Sequence, residues 1–116
     1  MHELGIVFYI IRDVKAAAAE NGVNRVSTVV MNIGEVSTIV PAYLTDCWRW
    51  AADKDDLLRG SELKIHTIPA VTYCGDCGKE YPTVQYGKTC PHCHSGNTWL
   101  LHGNEVEIKE IEVPNP

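Results

Sequence analysis

The sequence predicts an α+β fold: a small mixed sheet of about three strands with two helices, interrupted by a compact cysteine-rich segment. Three observations predict it. Apolar residues recur at helical spacing in two stretches, one starting at Leu4 and one at Pro41. β-Branched or alternating runs occupy residues 25–33, 62–68 and 105–113. Between the second and third of these runs, Cys74, Cys77, Cys90 and Cys93 fall as C-x2-C-x12-C-x2-C. A lone closing strand is not stable by itself, so 105–113 is expected to rejoin the sheet begun before the cysteines. The predicted organisation is a discontinuous α+β domain, residues 1–69 and 100–116, with the cysteine segment 70–99 inserted.

Taken in order, the first helix has Leu4, Val7, Phe8, Ile11, Val14 and Ala18 as its apolar stripe, with Arg12, Asp13 and Glu20 opposite. Asn21-Gly22 ends it, Gly22 being free to adopt the left-handed conformation after the last turn. Residues 25–33 form the first strand. Val29, Met31 and Ile33 lie on one face and Val26, Thr28 and Val30 on the other, so both faces are partly apolar and the strand is expected to be central. Gly34-Glu35 turns the chain, and the β-branched residues 37–40 read as a second short strand.

Pro41 suits a first helical position, where its missing N–H is harmless. Leu44, Cys47, Trp48 and Ala51 make the stripe of the second helix. Cys47 reads as a packed core thiol, and Trp48 and Trp50 read as core. After a turn at Gly60, the 62–68 strand alternates, Leu63 and Ile65 inward, Glu62, Lys64 and a surface His66 outward. Pro69 ends that strand or marks a sheet edge. In the last strand Val106 and Ile108 are followed by Ile111 and Val113; the phase slips by one near Lys109-Glu110, which predicts a β-bulge.

The cysteine spacing carries chemistry. Each C-x-x-C puts two thiolates on one tight turn, and residues 78–89 are long enough to fold back and join the pairs. Four thiolates in a tetrahedron suit a structural Zn²⁺, which has no geometric demand of its own; a closed four-cysteine site leaves no position for substrate. Disulfides would require an exported chain, and a thioredoxin-like centre needs one C-x-x-C beside a βαβ unit rather than two facing pairs. His92 and His94 flank a zinc cysteine and read as exposed loop residues, with entry into the zinc site as the alternative.

The chain has 116 residues and a net charge of −5. That is enough for one modest core, which a zinc site would staple. Around the cysteines Lys79 and Lys88 are set against Asp76 and Glu80, so no basic patch forms and nucleic acid is disfavoured as a partner. No leader-like or membrane-spanning apolar run is apparent, and with reduced cysteines this reads as cytoplasmic, with no membrane partner. No Ser/His/Asp set or Gly-rich phosphate loop appears, so no enzyme is expected. A non-enzymatic zinc-ribbon adaptor for protein or nucleic acid is the alternative on these features.

The amino terminus offers a second metal site. The Met1 α-amine, the His2 backbone nitrogen and His2 Nδ1 can close a five- and a six-membered chelate ring on one ion. A fourth position is left for Glu3, another side chain or water. Tetragonal nitrogen and oxygen donors favour Ni(II) or Cu(II).

Met1-His2-Glu3-Leu4 opening a helix, Ile33-Gly34-Glu35, Val40-Pro41 with Leu44, the four-cysteine ribbon, and Gly103-Asn104-Glu105 before the closing strand come in one order across the whole chain. Together they resemble the HypA/HybF family of hydrogenase nickel-insertion proteins. The resemblance implies an α+β nickel domain and a structural zinc ribbon, with Ni²⁺ as cargo bound through the start motif and His2 indispensable. It further implies delivery to the large subunit of [NiFe]-hydrogenase alongside an accessory GTPase, with urease maturation proteins as partners in some members. Val40 stands where some members offer a carboxylate. The resemblance leaves monomer and homodimer open.

Overall fold

The computed structural model describes residues 3–115. Its elements follow the chain as α1 (Glu3–Glu20), β1 (Thr28–Gly34), α2 (Pro41–Ala52), β2 (Glu62–Ile68), β3 (Val71–Cys74), β4 (Glu80–Pro82), α3 (Thr83–Tyr86), β5 (Thr98–His102) and β6 (Val106–Glu112). They form two three-stranded sheets, ordered β2-β1-β6 and β4-β3-β5. The α+β class holds, and β1 is the central strand its two apolar faces predicted. Its buried residues include Val29 and Met31 from one face and Thr28 and Val30 from the other.

Backbone bonding gives the first sheet its mixed character. Ser27 accepts from the Glu62 N–H and the Glu35 N–H donates to Ile68, so β2 advances in the same direction as β1. The Ser27 N–H donates to Glu112 and the Gly34 N–H to Glu105, so β6 runs the opposite way. Parallel neighbours need a long crossover, and α2 lies within the one that joins β1 to β2.

The chain divides into two compact units. One comprises the residues up to Met31, Ile39–His66 and those from Glu107 on; the other comprises Asn32–Thr38 and Thr67–Val106. In the first, α1 buries Ile6, Val7, Ile10, Val14 and Ala18. The predicted stripe was rotated: Phe8 is 52% exposed and Leu4 38%. Residues 4–11 are almost wholly apolar, so no polar side marks the phase. The helix ends as expected, Gly22 taking φ 65°.

Residues 37–40 form no strand. The Ser37 N–H turns back to the Gly34 carbonyl, Thr38 sits at φ 68°, and Val40 is already the cap of α2. Pro41 starts that helix as predicted. Leu44, Trp48, Ala51 and Ala52 are buried, and Cys47 is half-buried at the edge of the stripe. The buried Trp48 indole donates to Ser61, which satisfies its N–H. Trp50, expected in the core, is 55% exposed, with the Lys54 ammonium 4.2 Å from its ring centroid. The two helices run side by side in the same direction: Glu3 meets Val40 at one end, and Lys15 meets Asp55 beyond the other.

The second unit is built on the β4-β3-β5 sheet, whose strand pairs are antiparallel. Tyr81 packs with Cys74 and Cys90 in a small buried cluster, and its hydroxyl donates to the Gly87 carbonyl at 2.8 Å. Tyr73 and Trp99 lie on paired strand positions with ring centroids 5.0 Å apart. Gly34 belongs to this unit, and a Cβ there would run into the Gly103 carbonyl. In β6, Ile108 and Ile111 are both half-buried, so strict alternation breaks between them.

Candidate metal centre

The cysteine site is assembled by two turns. β3 ends at Cys74, and the Gly78 N–H donates back to the Cys74 carbonyl at 2.9 Å, which curls Cys77 towards Cys74. The second turn repeats the geometry: the His94 N–H donates to the Cys90 carbonyl at 2.8 Å and curls Cys93 round. The Cys74 N–H donates to Lys79, and the Cys90 N–H to Ser95, at 3.0 Å each. These bonds repeat because both sequences are C-x-x-C followed by a residue at positive φ, Gly78 in one and His94 in the other.

The four Sγ atoms lie within 4.8 Å of one another. Cys74 and Cys93 approach to 3.5 Å, and Cys77 and Cys90 to 3.6 Å. These are far beyond a disulfide bond of about 2.05 Å, and all four cysteines are free. A tetrahedron with Zn–S bonds of about 2.3 Å has edges of about 3.8 Å, which the cluster matches. Cys74 and Cys90 are buried, and Cys77 and Cys93 face solvent.

The electrostatics point the same way. Burial acts to raise the Cys90 thiol, but the backbone N–H groups of Cys93 and His92 outweigh it and bring it down to about 7. On Cys93 the Ser95 N–H works downward, yet the thiols around it, Cys74 first, and desolvation push it up to about 12. Cys77 is also raised, burial and the neighbouring Cys90 and Cys74 thiols overcoming the Lys79 N–H. One thiolate forms readily and its neighbours then resist, because like charges this close disfavour one another. A divalent cation among them removes that conflict. The donor set therefore fits zinc: four soft thiolates, metal-sized spacing, no open position.

His92 and His94 are exposed, and the metal-sized cluster among the described residues consists of the four cysteines alone. A carboxylate that spacing did not single out joins the two turns. Asp76 accepts from Ser95 Oγ and from Asn97 Nδ2, and these donors hold its carboxyl below the usual carboxylate range. The run of turn-forming residues Ser95-Gly96-Asn97 was the available signal.

At the other candidate site, Met1 and His2 lie outside the described residues. Glu3 begins α1, and its Oε2 accepts the Val40 N–H at 3.1 Å. Val40 caps α2 without any side-chain bond of its own. The first turn of α1 is thereby tied to the head of α2. His66 is exposed on β2, as expected.

Among the described residues, no helix is long and apolar enough to cross a membrane.

Residues 1–113 match a family model described as HypA, hydrogenase/urease nickel incorporation, metallochaperone. The hydrogenase maturation factor HypA of Geobacter metallireducens is 34% identical over 113 residues, covering 97% of this chain and 99% of that one. The hydrogenase maturation factor HybF of Klebsiella pneumoniae is 30% identical over 112 residues, covering 97% and 98%. In fold, the chain is similar to the solution structure of the Ni metallochaperone HypA from Helicobacter pylori, with a TM-score of 0.74 and 24% identity over 97% of each chain.

Proposed function

This chain belongs to the HypA family of hydrogenase/urease nickel-incorporation metallochaperones, and on that premise we propose that it carries Ni²⁺ on its amino terminus to the large subunit of [NiFe]-hydrogenase. The Met1 amine, the His2 backbone nitrogen, which gives up its amide proton to solvent on binding, and the His2 imidazole would hold the ion in two fused chelate rings, a donor set suited to Ni(II). The observation that carries this reading is the extent of the family match, which runs from residue 1 and so includes the start motif. The Glu3–Val40 bond supports it, because it fixes the residue next to the chelate at one place on the unit.

In this reading Cys74, Cys77, Cys90 and Cys93 hold a structural Zn²⁺, and the ribbon around residues 70–99 is a separate module inserted into the nickel-binding domain. Zinc bound there supplies cross-linking between two turns and no reaction, since its coordination shell is full. The chain is accordingly not an enzyme. It works in the cytoplasm with an accessory GTPase, and urease maturation proteins are further candidate partners; nucleic acid and membrane are not.

The test is calorimetric nickel titration of the zinc-loaded chain with a native start. His2→Ala removes one chelate ring and is expected to abolish tight nickel binding at unchanged zinc content. His2→Gln is expected to behave alike, and residues added before Met1 convert the amine to an amide and also damage the site. Unchanged affinity in His2→Ala would sink this mechanism. Loss in His2→Ala with none in the extended chain would keep the histidine and discard the amine. For the ribbon, alanine at any of the four cysteines is expected to release zinc and unfold residues 70–99, because binding free energy there is folding free energy.

A further inference from the structure

The segment that follows the second cysteine pair lies against the first. The Gly75 N–H donates to the Asn97 carbonyl at 2.9 Å. The two oxygens of Asp76 divide their donors: Oδ2 takes Ser95 Oγ, and Oδ1 takes Asn97 Nδ2 at 3.1 Å. The Asn97 N–H closes onto Ser95 Oγ at 3.0 Å. The approach is tight, for a Cβ on Gly75 would stand 2.9 Å from Asn97 Nδ2 and 2.8 Å from the Trp99 ring. None of these bonds uses a sulfur, so the set joins the two turns without help from a metal.

We propose that Asp76 is a positioning residue of the metal centre: its carboxylate ties the strand of chain carrying Cys93 to the turn carrying Cys77 and so slows the loss of zinc. The inference rests on the zinc reading above. Cys77 and Cys93 are the exposed ligands, so a competing chelator reaches them before the buried Cys74 and Cys90. Release begins when one exposed thiolate swings away. Asp76 immediately precedes Cys77, and Ser95 follows Cys93 by two residues, so the brace spans the pair that would have to separate. Partners beyond the ligands themselves set metal retention by holding ligands in place.

The experiment follows zinc transfer from the loaded full-length chain to an excess of chromophoric chelator at neutral pH. Asp76→Ala is expected to speed transfer roughly ten-fold or more. Asp76→Asn is expected to fall between, because its amide oxygen still accepts from Ser95 Oγ. The double variant Asp76→Ala/Ser95→Ala is expected to transfer more slowly than the two single effects multiplied together, since both changes remove the same Asp76–Ser95 bond. Cobalt(II) loaded into Asp76→Ala is expected to keep the absorption of a four-thiolate tetrahedron, because the ligands are untouched. If Asp76→Ala does not fold, Ser95→Ala removes the Ser95 donor to Asp76 together with the acceptor of the Asn97 N–H and carries the same test. A native transfer rate in the single variants, or full additivity in the double, overturns the brace and leaves the zinc site standing. A native chain that takes up no zinc, or keeps it in Cys77→Ala, overturns the zinc reading and the brace with it.

Discussion

At Gly34 the fold leaves no room for a side chain: the atom a Cβ would strike is the Gly103 carbonyl, held by the Val36 N–H at 2.7 Å and unable to move as a flexible side chain would. Gly34→Ala is therefore expected to lower stability by about 1–3 kcal/mol, the usual cost of overpacking, read as a lower urea midpoint. Sequence alone offered Ile33-Gly34-Glu35 as a motif without its reason, because the partner lies in a loop about seventy residues away. Glu3 is the converse case. Its residue type allowed it to be a nickel ligand, whereas its carboxylate is engaged with the Val40 N–H. If it serves as a tether, Glu3→Ala costs about 0.5–1.5 kcal/mol for the lost bond and weakens nickel binding only modestly. Glu3→Gln, which keeps an acceptor, is expected to change both less. Denaturant melts beside nickel titrations separate the roles: native stability with lost nickel binding in Glu3→Ala would make Glu3 a ligand.

Elements were legible in proportion to how much chemistry fixed them. Cysteine spacing identified the ribbon turns because four ligands on one ion leave little geometric freedom. The strands β3, β4 and β5 were not separately readable, being four, three and five residues long and thus too short for an alternation to declare itself. The α1 stripe was mis-phased where all sides are apolar, and residues 37–40 had strand composition but a turn's hydrogen bonding. Charged residues that join elements were invisible to periodicity. Lys15 on α1 pairs with Asp55 beyond α2 at 2.8 Å. The Lys15 hydrogen bond is the main cause that holds the Asp55 carboxyl below its ordinary 3.8, with the Leu57 N–H assisting against burial. For a depressed carboxyl, the stability contribution is complete above the unfolded value and is lost as pH falls through the folded one. Lys15→Met is thus expected to cost less than about 1 kcal/mol near neutrality, the pair being partly exposed. It should cost nothing once pH is below both values. Denaturant melts at pH 7 and through a falling series of acid pH values check this, and a loss that stays equal to the acid end would assign the effect to packing of the lysine stem.

At the scale of the whole molecule, the two proposed metals answer to different protons. Nickel on the amino terminus competes with protons for an α-amine of about 7.7–8.0, an imidazole of about 6.5 and the His2 backbone nitrogen, which must lose its N–H to bind. Its affinity should fall steeply as pH drops from 7.5 to 5.5. Zinc competes for four thiolates at once, and a structural four-cysteine site binds with an apparent free energy of about 10–16 kcal/mol at pH 7. Each of the four competing protons takes about 1.4 kcal/mol per pH unit, so the margin narrows in acid, and zinc outlasts the cargo because it starts in a closed, tighter site. A chain loaded with both ions is therefore expected to release nickel first on acidification and to keep its zinc, so cargo can leave while the ribbon stays folded. The check is metal content after dialysis across that pH range, with chemical shifts of the Cys74–Cys93 segment as the record of ribbon integrity. Zinc leaving at or before nickel would mean that the cysteine cluster, two of whose thiols face solvent, is an exchangeable site rather than a structural one. The His2→Ala chain gives the control: its zinc should follow the same pH curve as the native chain, because the chelate at the start of α1 and the four thiols share no donor.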